Sequence, residues 1–134
     1  MGINRRNFLK TAGGLALLTI VPSRVLGGPK HVAPSDQLTK GIIGTGGIGR
    51  SSYHFTSDEQ CRLVALCDVD KNHLASAVEL GKQKFGQKLQ TYHFYRDLIN
   101  DPNVDIVHIA TPPHWHGIMA VEAAKAGKDI WCEK

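Results

Sequence analysis

From residue 38 onward, short apolar runs alternate with longer amphipathic stretches. Consecutive apolar residues, as in "VALC" and "IVHIA", are typical of strands that are covered on both faces. Apolar residues at helical spacing predict a helix over 71–85, begun by Asp70 as N-cap, and another over 114–128, ended by Gly127. In the second of these, we expect Trp115, Ile118, Met119 and Ala123 to form one apolar stripe. The predicted strands are 41–44, 61–68, 89–94, 104–111 and 129–133, and a shorter helix is predicted within 96–103. The alternation predicts a parallel α/β sheet with right-handed crossovers.

The first 37 residues follow a different pattern. Arg5 and Arg6 precede "NFLK" and a mostly apolar run over 11–21, which is shorter than the roughly 20 residues that span a bilayer as a helix. This arrangement resembles a bacterial twin-arginine export signal, so residues 1–27 are predicted to be a signal peptide and 28–37 a linker. Export to the periplasm through the twin-arginine translocase is therefore expected. The alternative is a basic amphipathic anchor that is never removed.

The charge of the chain is concentrated in that leader. The net charge is +4, yet residues 1–30 carry five basic residues and no acidic one. The remainder is nearly neutral, so the composition argues against nucleic acid as a partner. Cys61, Cys67 and Cys132 form no C-x-x-C pair and are odd in number. Cys61 and Cys67 lie at the two ends of one apolar run, which indicates buried thiols rather than a disulfide framework.

A glycine-rich loop follows the first predicted strand. Gly44, Thr45, Gly46, Gly47, Ile48 and Gly49 form a G-x-G-x-x-G motif that we expect to open a helix, and Asp68 ends the second strand. In dinucleotide-binding folds the first glycine permits the tight turn, the second lets the backbone approach a pyrophosphate, and the third allows close packing. Asp68 would accept hydrogen bonds from the adenosine ribose. A carboxylate there repels a 2′-phosphate, so NAD is expected rather than NADP. The alternative is a glycine-rich turn without a ligand.

The histidines give weaker signals. His114 and His116 form an H-x-H pair, but one helix face presents such a pair poorly to a metal, and no cysteine or carboxylate completes the set. We therefore predict no metal site. His108, in an apolar strand, is expected to be a core histidine with satisfied hydrogen bonds, and Trp115 and Trp131 are expected in the core or at an interface.

Residues 38–134 resemble the family of nicotinamide-dependent oxidoreductases that includes glucose–fructose oxidoreductase, inositol dehydrogenase and MocA. The resemblance rests on the glycine motif, Asp68, Ala110-Thr111-Pro112, His116, Ala126-Gly127-Lys128 and the terminal Glu133-Lys134. It implies a Rossmann-type doubly wound sheet, here partial. It also implies that Thr111, Pro112, His116 and Glu133 contact the cofactor, and that Lys134, the lysine of the family's E-K-P motif, has a catalytic role in positioning or proton transfer.

The resemblance also implies a second, substrate-binding domain that these residues do not include, so the chain is expected to be the N-terminal part of a longer protein. The implied activity is hydride transfer between nicotinamide and a sugar, polyol or derivative, in a homo-oligomer. Two alternatives remain open. One is an exported glycoside hydrolase that uses tightly held NAD, and the other is a cofactor-binding module without turnover.

Overall fold

The computed structural model describes residues 32–33, 35–51, 54–58 and 60–134. The predicted signal peptide and residues 28–31 and 34 of the predicted linker lie outside the described residues. The chain divides into two units, 1–33 and 34–134, and the second contains the helices and strands described below. Among the residues that the structure describes, no helix has the length and apolar character needed to cross a bilayer.

Five parallel strands form a single sheet in the second unit, in the order β3-β2-β1-β4-β5. The elements in chain order are β1 (Leu38–Ile43), a 3-10 helix (Ile48–Arg50), β2 (Cys61–Cys67), α1 (Lys71–Phe85), β3 (Gln90–Tyr92), α2 (Tyr95–Ile99), β4 (Ile106–Ile109), α3 (Pro113–Lys125) and β5 (Asp129–Cys132). The five predicted strands and the parallel sheet are confirmed. The strands β2 to β5 are shorter than predicted, whereas β1 begins three residues before its predicted start.

The core lies on both faces of this sheet, because alternate residues of each strand point to opposite sides. On one face Ile42 and Leu66 pack with Ala77 of α1. On the other face Ile43 and Val107 pack with residues of α2 and α3. Helices therefore cover both faces, as the doubly wound prediction requires.

Helix α1 occupies the predicted residues and has a capping group at each end. The Asp70 carboxylate accepts hydrogen bonds from the backbone N–H groups of Asn72 (2.7 Å) and His73 (3.3 Å), so the predicted N-cap is confirmed. Gly86 ends the helix with φ of 64°, in the left-handed region that glycine enters without strain.

Helix α3 confirms its predicted position and Gly127 as the residue after its end (φ 72°), but not its whole apolar stripe. Met119 and Ala123 are buried, whereas Trp115 and Ile118 are 44% and 46% exposed. Met119 and Ala123 are four positions apart in the sequence and both face the sheet. The first turn of the helix lies beside an open cleft that Trp115 lines. Trp131 is 42% exposed on the edge strand β5, so neither tryptophan belongs to the core.

The helix expected after the glycine loop is the main correction to the predicted elements. Within the described residues, the 3-10 helix Ile48–Arg50 stands in its place, and Ser51 and 54–58 form turns and irregular structure. The sequence "RSSYHFTSDEQ" has little apolar periodicity, and its serines and threonine have low helix propensity, so no apolar stripe is available to hold a longer helix against the sheet.

Candidate cofactor site

A cleft of about 850 Å³ opens at the carboxyl ends of the strands, where the loops after β1, β2, β4 and β5 meet. The strand order reverses between β1 and β4, and such reversal points are where open α/β sheets bind ligands. The cleft is lined by Gly44, Gly46, Gly47, Ile48, Asp68, Thr111, Pro112, Glu133 and Lys134 among the predicted site residues. Thr45, Gly49 and His116 do not line it.

The glycines of the loop have two different structural roles. Gly44 has φ of 90°, and a Cβ there would lie 2.7 Å from the Ala110 carbonyl oxygen. A Cβ on Gly49 would lie 1.9 Å from the carbonyl oxygen of Gly44, so Gly49 is required for the loop to fold back on itself. Gly46 and Gly47 have no such close neighbours and line the cleft with bare backbone. At both positions a ligand can approach the main chain closely.

Asp68 holds the glycine loop as well as lining the cleft. Its Oδ2 accepts hydrogen bonds from the Thr45 backbone N–H (2.7 Å) and the Thr45 hydroxyl (3.0 Å). Its Oδ1 accepts one from the Asp70 N–H (2.9 Å). A carboxylate oxygen has two lone pairs, so these contacts leave acceptor capacity on Oδ1. The structural role of Asp68 towards Thr45 is not visible in the sequence.

His73 lies beside the same carboxylate, although it belongs to no pattern in the sequence. Its Nδ1 is 3.9 Å from Asp68 Oδ2, its side chain is half exposed, and it lines the cleft close to Gly46. The sequence signal that could have indicated it is its position in the first turn of the helix that Asp70 caps.

His116 supports Thr111, which lines the same cleft. The His116 Nε2–H donates to the Thr111 carbonyl oxygen (2.7 Å), and the Thr111 hydroxyl lies 3.6 Å from the sulfur of Met119. Thr111 therefore lies between His116 and the cleft. His116 Nε2 is thus occupied by this hydrogen bond, whereas His114 is exposed.

The Glu133 carboxylate lines the cleft but its Oε1 is engaged by two histidines. Oε1 lies 2.9 Å from His108 Nε2 and 3.2 Å from His54 Nδ1. His108 is fully buried, as predicted, and burial lowers the pKa of its imidazole. Its Nδ1 has no hydrogen-bond partner among the described residues, so the prediction that it is fully satisfied is wrong. The sequence did not indicate His54 at all.

The arrangement fits a nicotinamide dinucleotide. The same cleft is lined by the bare backbone of Gly46 and Gly47, by the Asp68 carboxylate, and by Thr111, Pro112 and Lys134. Lys134 is exposed at the rim. In many dinucleotide-binding folds a long helix begins at the glycine loop, and its N-terminus faces the pyrophosphate. Here a 3-10 helix stands in that place, so backbone N–H groups of the loop would bind the pyrophosphate instead.

Comparison with known proteins agrees with this geometry. The glycosyl hydrolase family 109 protein 2 of Shewanella sp. (strain ANA-3) is 40% identical over 98% of the chain. The chain spans 33% of that relative's length.

Two solved structures cover about the same residues. Myo-inositol dehydrogenase from Lactobacillus casei, in complex with NAD(H) and myo-inositol, matches 73% of this chain and 28% of its own with 25% identity and a TM-score of 0.63. Biliverdin reductase from Synechocystis sp. PCC 6803, in complex with biliverdin and NADP+, matches 72% of this chain and 29% of its own with 32% identity and a TM-score of 0.60.

The neighbours thus bind a nicotinamide dinucleotide, in one case NAD(H) and in the other NADP+. Residues 38–134 match the model of the glucose–fructose oxidoreductase, inositol dehydrogenase and MocA proteins, an oxidoreductase family with an NAD-binding Rossmann fold. The chain therefore belongs to this family.

Proposed function

We propose that this chain is the NAD-binding part of an oxidoreductase that acts on a sugar, a polyol or a derivative of one. The observation that carries the proposal is the cleft in which the Asp68 carboxylate and the bare backbone of Gly46 and Gly47 lie together. When bound, the nicotinamide accepts or donates a hydride, and that chemistry belongs to the cofactor.

Asp68 supports NAD rather than NADP. Oδ2 already accepts two hydrogen bonds from Thr45, so the remaining capacity of Oδ1 is available to a ribose hydroxyl. Asp68 is only 9% exposed, so its charge is weakly screened by solvent. A 2′-phosphate placed beside this charge would be repelled, whereas a hydroxyl would donate to it.

Lys134 and Thr111 would act at the nicotinamide end. The Lys134 ammonium at the cleft rim can donate a hydrogen bond to a substrate oxygen, and this would orient the carbon that exchanges hydride. His116 fixes the Thr111 carbonyl and so holds the wall against which the nicotinamide would lie. These residues position the reactants.

Calorimetric titration of the purified chain with NAD and with NADP tests the cofactor proposal. We expect NAD to bind more tightly than NADP, and Asp68→Asn to weaken NAD binding by roughly tenfold, because a hydrogen bond to a charged group contributes about 1.5–3 kcal/mol. Asp68→Asn should also reduce the discrimination against NADP, since the repelling charge is gone.

Thr45→Val is the matched control for that titration. It removes the hydroxyl that donates to Asp68 Oδ2 but keeps the carboxylate and the Thr45 backbone N–H. We expect it to lower the free energy of unfolding with a smaller effect on the preference for NAD. Equal NAD affinity in the parent chain and Asp68→Asn would remove Asp68 from the ribose role.

A glycoside hydrolase that holds NAD tightly is the second candidate. It is favoured by the relative that is named a glycosyl hydrolase family 109 protein and is 40% identical to this chain. In such an enzyme the substrate is oxidised transiently and reduced again, so no net NADH forms. The purified protein should then release the aglycone of a chromogenic glycoside without added cofactor.

Three outcomes separate the candidates. NADH formation from a sugar or polyol supports the oxidoreductase, and aglycone release without NADH supports the hydrolase. Cofactor binding with neither reaction supports a binding module.

We also propose export through the twin-arginine pathway, on the basis of Arg5, Arg6 and the following apolar run. Replacing both arginines by lysine keeps the charge but removes the pair. Fractionation of cells should then show the protein retained in the cytoplasm. An unchanged periplasmic fraction would contradict this proposal.

A further inference from the structure

Two histidines and a glutamate from distant parts of the sequence meet beneath the cleft. His54 comes from the irregular segment after the glycine loop, His108 from β4, and Glu133 from the residue after β5. One ligand atom of each lies within 4.8 Å of the other two. The side chains of His54 and Glu133 are 13% and 15% exposed, and His108 is fully buried.

The spacing of these atoms agrees with coordination of one small ion. Zinc bonds to nitrogen and oxygen of about 2.0–2.1 Å in tetrahedral geometry place neighbouring ligand atoms roughly 3.3–3.4 Å apart. Glu133 Oε1 lies 2.9 Å from His108 Nε2 and 3.2 Å from His54 Nδ1. The two Glu133 contacts therefore match ligand–ligand edges to within a few tenths of an ångström, and the edge between the two histidine nitrogens lies within 4.8 Å. Without an ion, Glu133 Oε1 is hydrogen-bonded to His108 Nε2 and lies within ion-pair distance of His54 Nδ1.

Trp131 contributes to the enclosure of the cluster. Its ring stacks on His108, with centroids 5.2 Å apart, and meets His54 edge to face at 5.6 Å. Rings packed in this way fix the imidazole planes, which lowers the entropy lost when an ion binds. His108 comes from a central strand and Glu133 follows the adjacent strand β5, so both are attached to the rigid sheet.

We propose that His54, His108 and Glu133 form a binding site for a divalent transition-metal ion of the zinc type. Two imidazoles and one carboxylate suit zinc and cobalt, whereas calcium requires six or more oxygen ligands and magnesium retains several waters. Three protein ligands leave a fourth position for water or another ligand. The H-x-H pair considered from the sequence is not part of this site.

The positive charge of Lys40 would repel a cation bound at this site. Its Nζ donates to the His54 carbonyl oxygen (3.0 Å) and lies 5.9 Å from the centre of the Trp131 ring. Its side chain is buried, so its charge is felt strongly by neighbouring groups. Replacing Lys40 with methionine, which keeps most of the apolar stem, should therefore tighten metal binding. If the three side chains only contact one another, neither the parent chain nor Lys40→Met should bind the metal.

The experiment is a titration of the chelator-treated chain with Zn2+ and with Co2+, without any nicotinamide cofactor. We expect one equivalent to bind, with the visible absorption of four-coordinate Co2+ and a rise in thermal stability with metal concentration. His54→Gln and Glu133→Gln should each weaken binding by at least about tenfold, the lower end of the losses seen when even outer-shell partners are changed.

His114→Ala is the matched control, since it removes an exposed histidine outside the cluster. Circular dichroism establishes that each variant is folded, and Lys40→Met supplies a change in the opposite direction. Binding that is retained by His114→Ala and Lys40→Met but weakened in His54→Gln and Glu133→Gln supports the site. Absence of stoichiometric binding, or binding that these two substitutions do not weaken, would overturn it. The readout does not depend on the proposed enzymatic function.

Discussion

Gly47 and Gly49 are two residues apart, yet the structure gives them different tolerance to a side chain. A Cβ on Gly49 would meet the Gly44 carbonyl oxygen at 1.9 Å, whereas a Cβ on Gly47 has no heavy atom within 4 Å. Neither has a positive φ, so the difference is one of space alone. The motif spacing indicates a tight loop, but it does not show at which glycine the space for a side chain is occupied by backbone atoms.

We predict that Gly49→Ala destabilises the chain, because the clash is with main chain that cannot move aside cheaply. The expected loss is about 1–3 kcal/mol, the usual cost of overpacking. Gly47→Ala, the matched control, should change the free energy of unfolding by less than about 0.5 kcal/mol. Urea denaturation of the two variants measures the difference, and equal losses would contradict the loop geometry.

The cluster of His54, His108 and Glu133 illustrates what residue patterns cannot provide. The three residues are separated by 54 and 25 positions, and no local spacing relates them. Their proximity follows from the pairing of β4 with β5 and from the path of the segment after the glycine loop. By contrast, Asp68 and the glycines could be assigned from sequence, because they belong to one strand–loop–strand unit with a fixed separation.

At the scale of elements, α1 was predictable in full because its signals are local and consistent. Asp70 provides the N-cap, apolar residues recur at helical spacing, and Gly86 permits the left-handed end. Helix α3 was predictable in position but not in its buried face, since neighbours that the sequence does not reveal decide which apolar residues are covered. The prediction of a helix after Gly49 is wrong for a different reason. The G-x-G-x-x-G motif indicates a helix, but the residues that follow it lack the apolar periodicity of a helix packed on a sheet.

Asp70 makes the stability of α1 depend on pH. The hydrogen bonds from the Asn72 and His73 N–H groups lower the pKa of Asp70 below its ordinary value of 3.8. The folded-state pKa is thus below the unfolded one, so this stabilisation is complete above the unfolded pKa and is lost as pH falls through the folded pKa.

We predict that Asp70→Asn, which keeps an oxygen acceptor at the N-cap, loses less stability than the parent chain between about pH 5 and pH 2. Asp70→Ala should be less stable than both at neutral pH. Thermal denaturation at several pH values measures these differences. Parallel curves for the parent chain and Asp70→Asn would show that the carboxylate does not cap the helix.

At the scale of the whole molecule, the reactivity of each cysteine thiol depends on where it lies in the folded sheet. Cys67 is buried in the central part of the sheet, and burial, with a contribution from the Asp68 charge, raises the pKa of its thiol to about 12. Cys132 lies on the edge strand and is exposed. The two thiols therefore differ in both access and thiolate content, which together control alkylation.

We predict that iodoacetamide modifies Cys132 well before Cys67 in the native chain near pH 8. In urea the two rates should become similar, because burial is lost. Peptide mass spectrometry measures both sites in one sample, with Cys132→Ser as the control for assignment. Rapid native labelling of Cys67 would contradict its burial in the interior strand β2.

The position of β1 in the middle of the sheet has a consequence for biosynthesis. β1 pairs with β2 on one side and with β4 on the other, and β4 begins at Ile106. Synthesis runs from the N-terminus, so β1 and β2 leave the ribosome while the second partner of β1 has yet to be made. During that interval an apolar strand has one unpaired edge, which is prone to join other chains. Slowing elongation before codon 106 should therefore increase aggregation of the nascent protein, whereas slowing it after β5 should not.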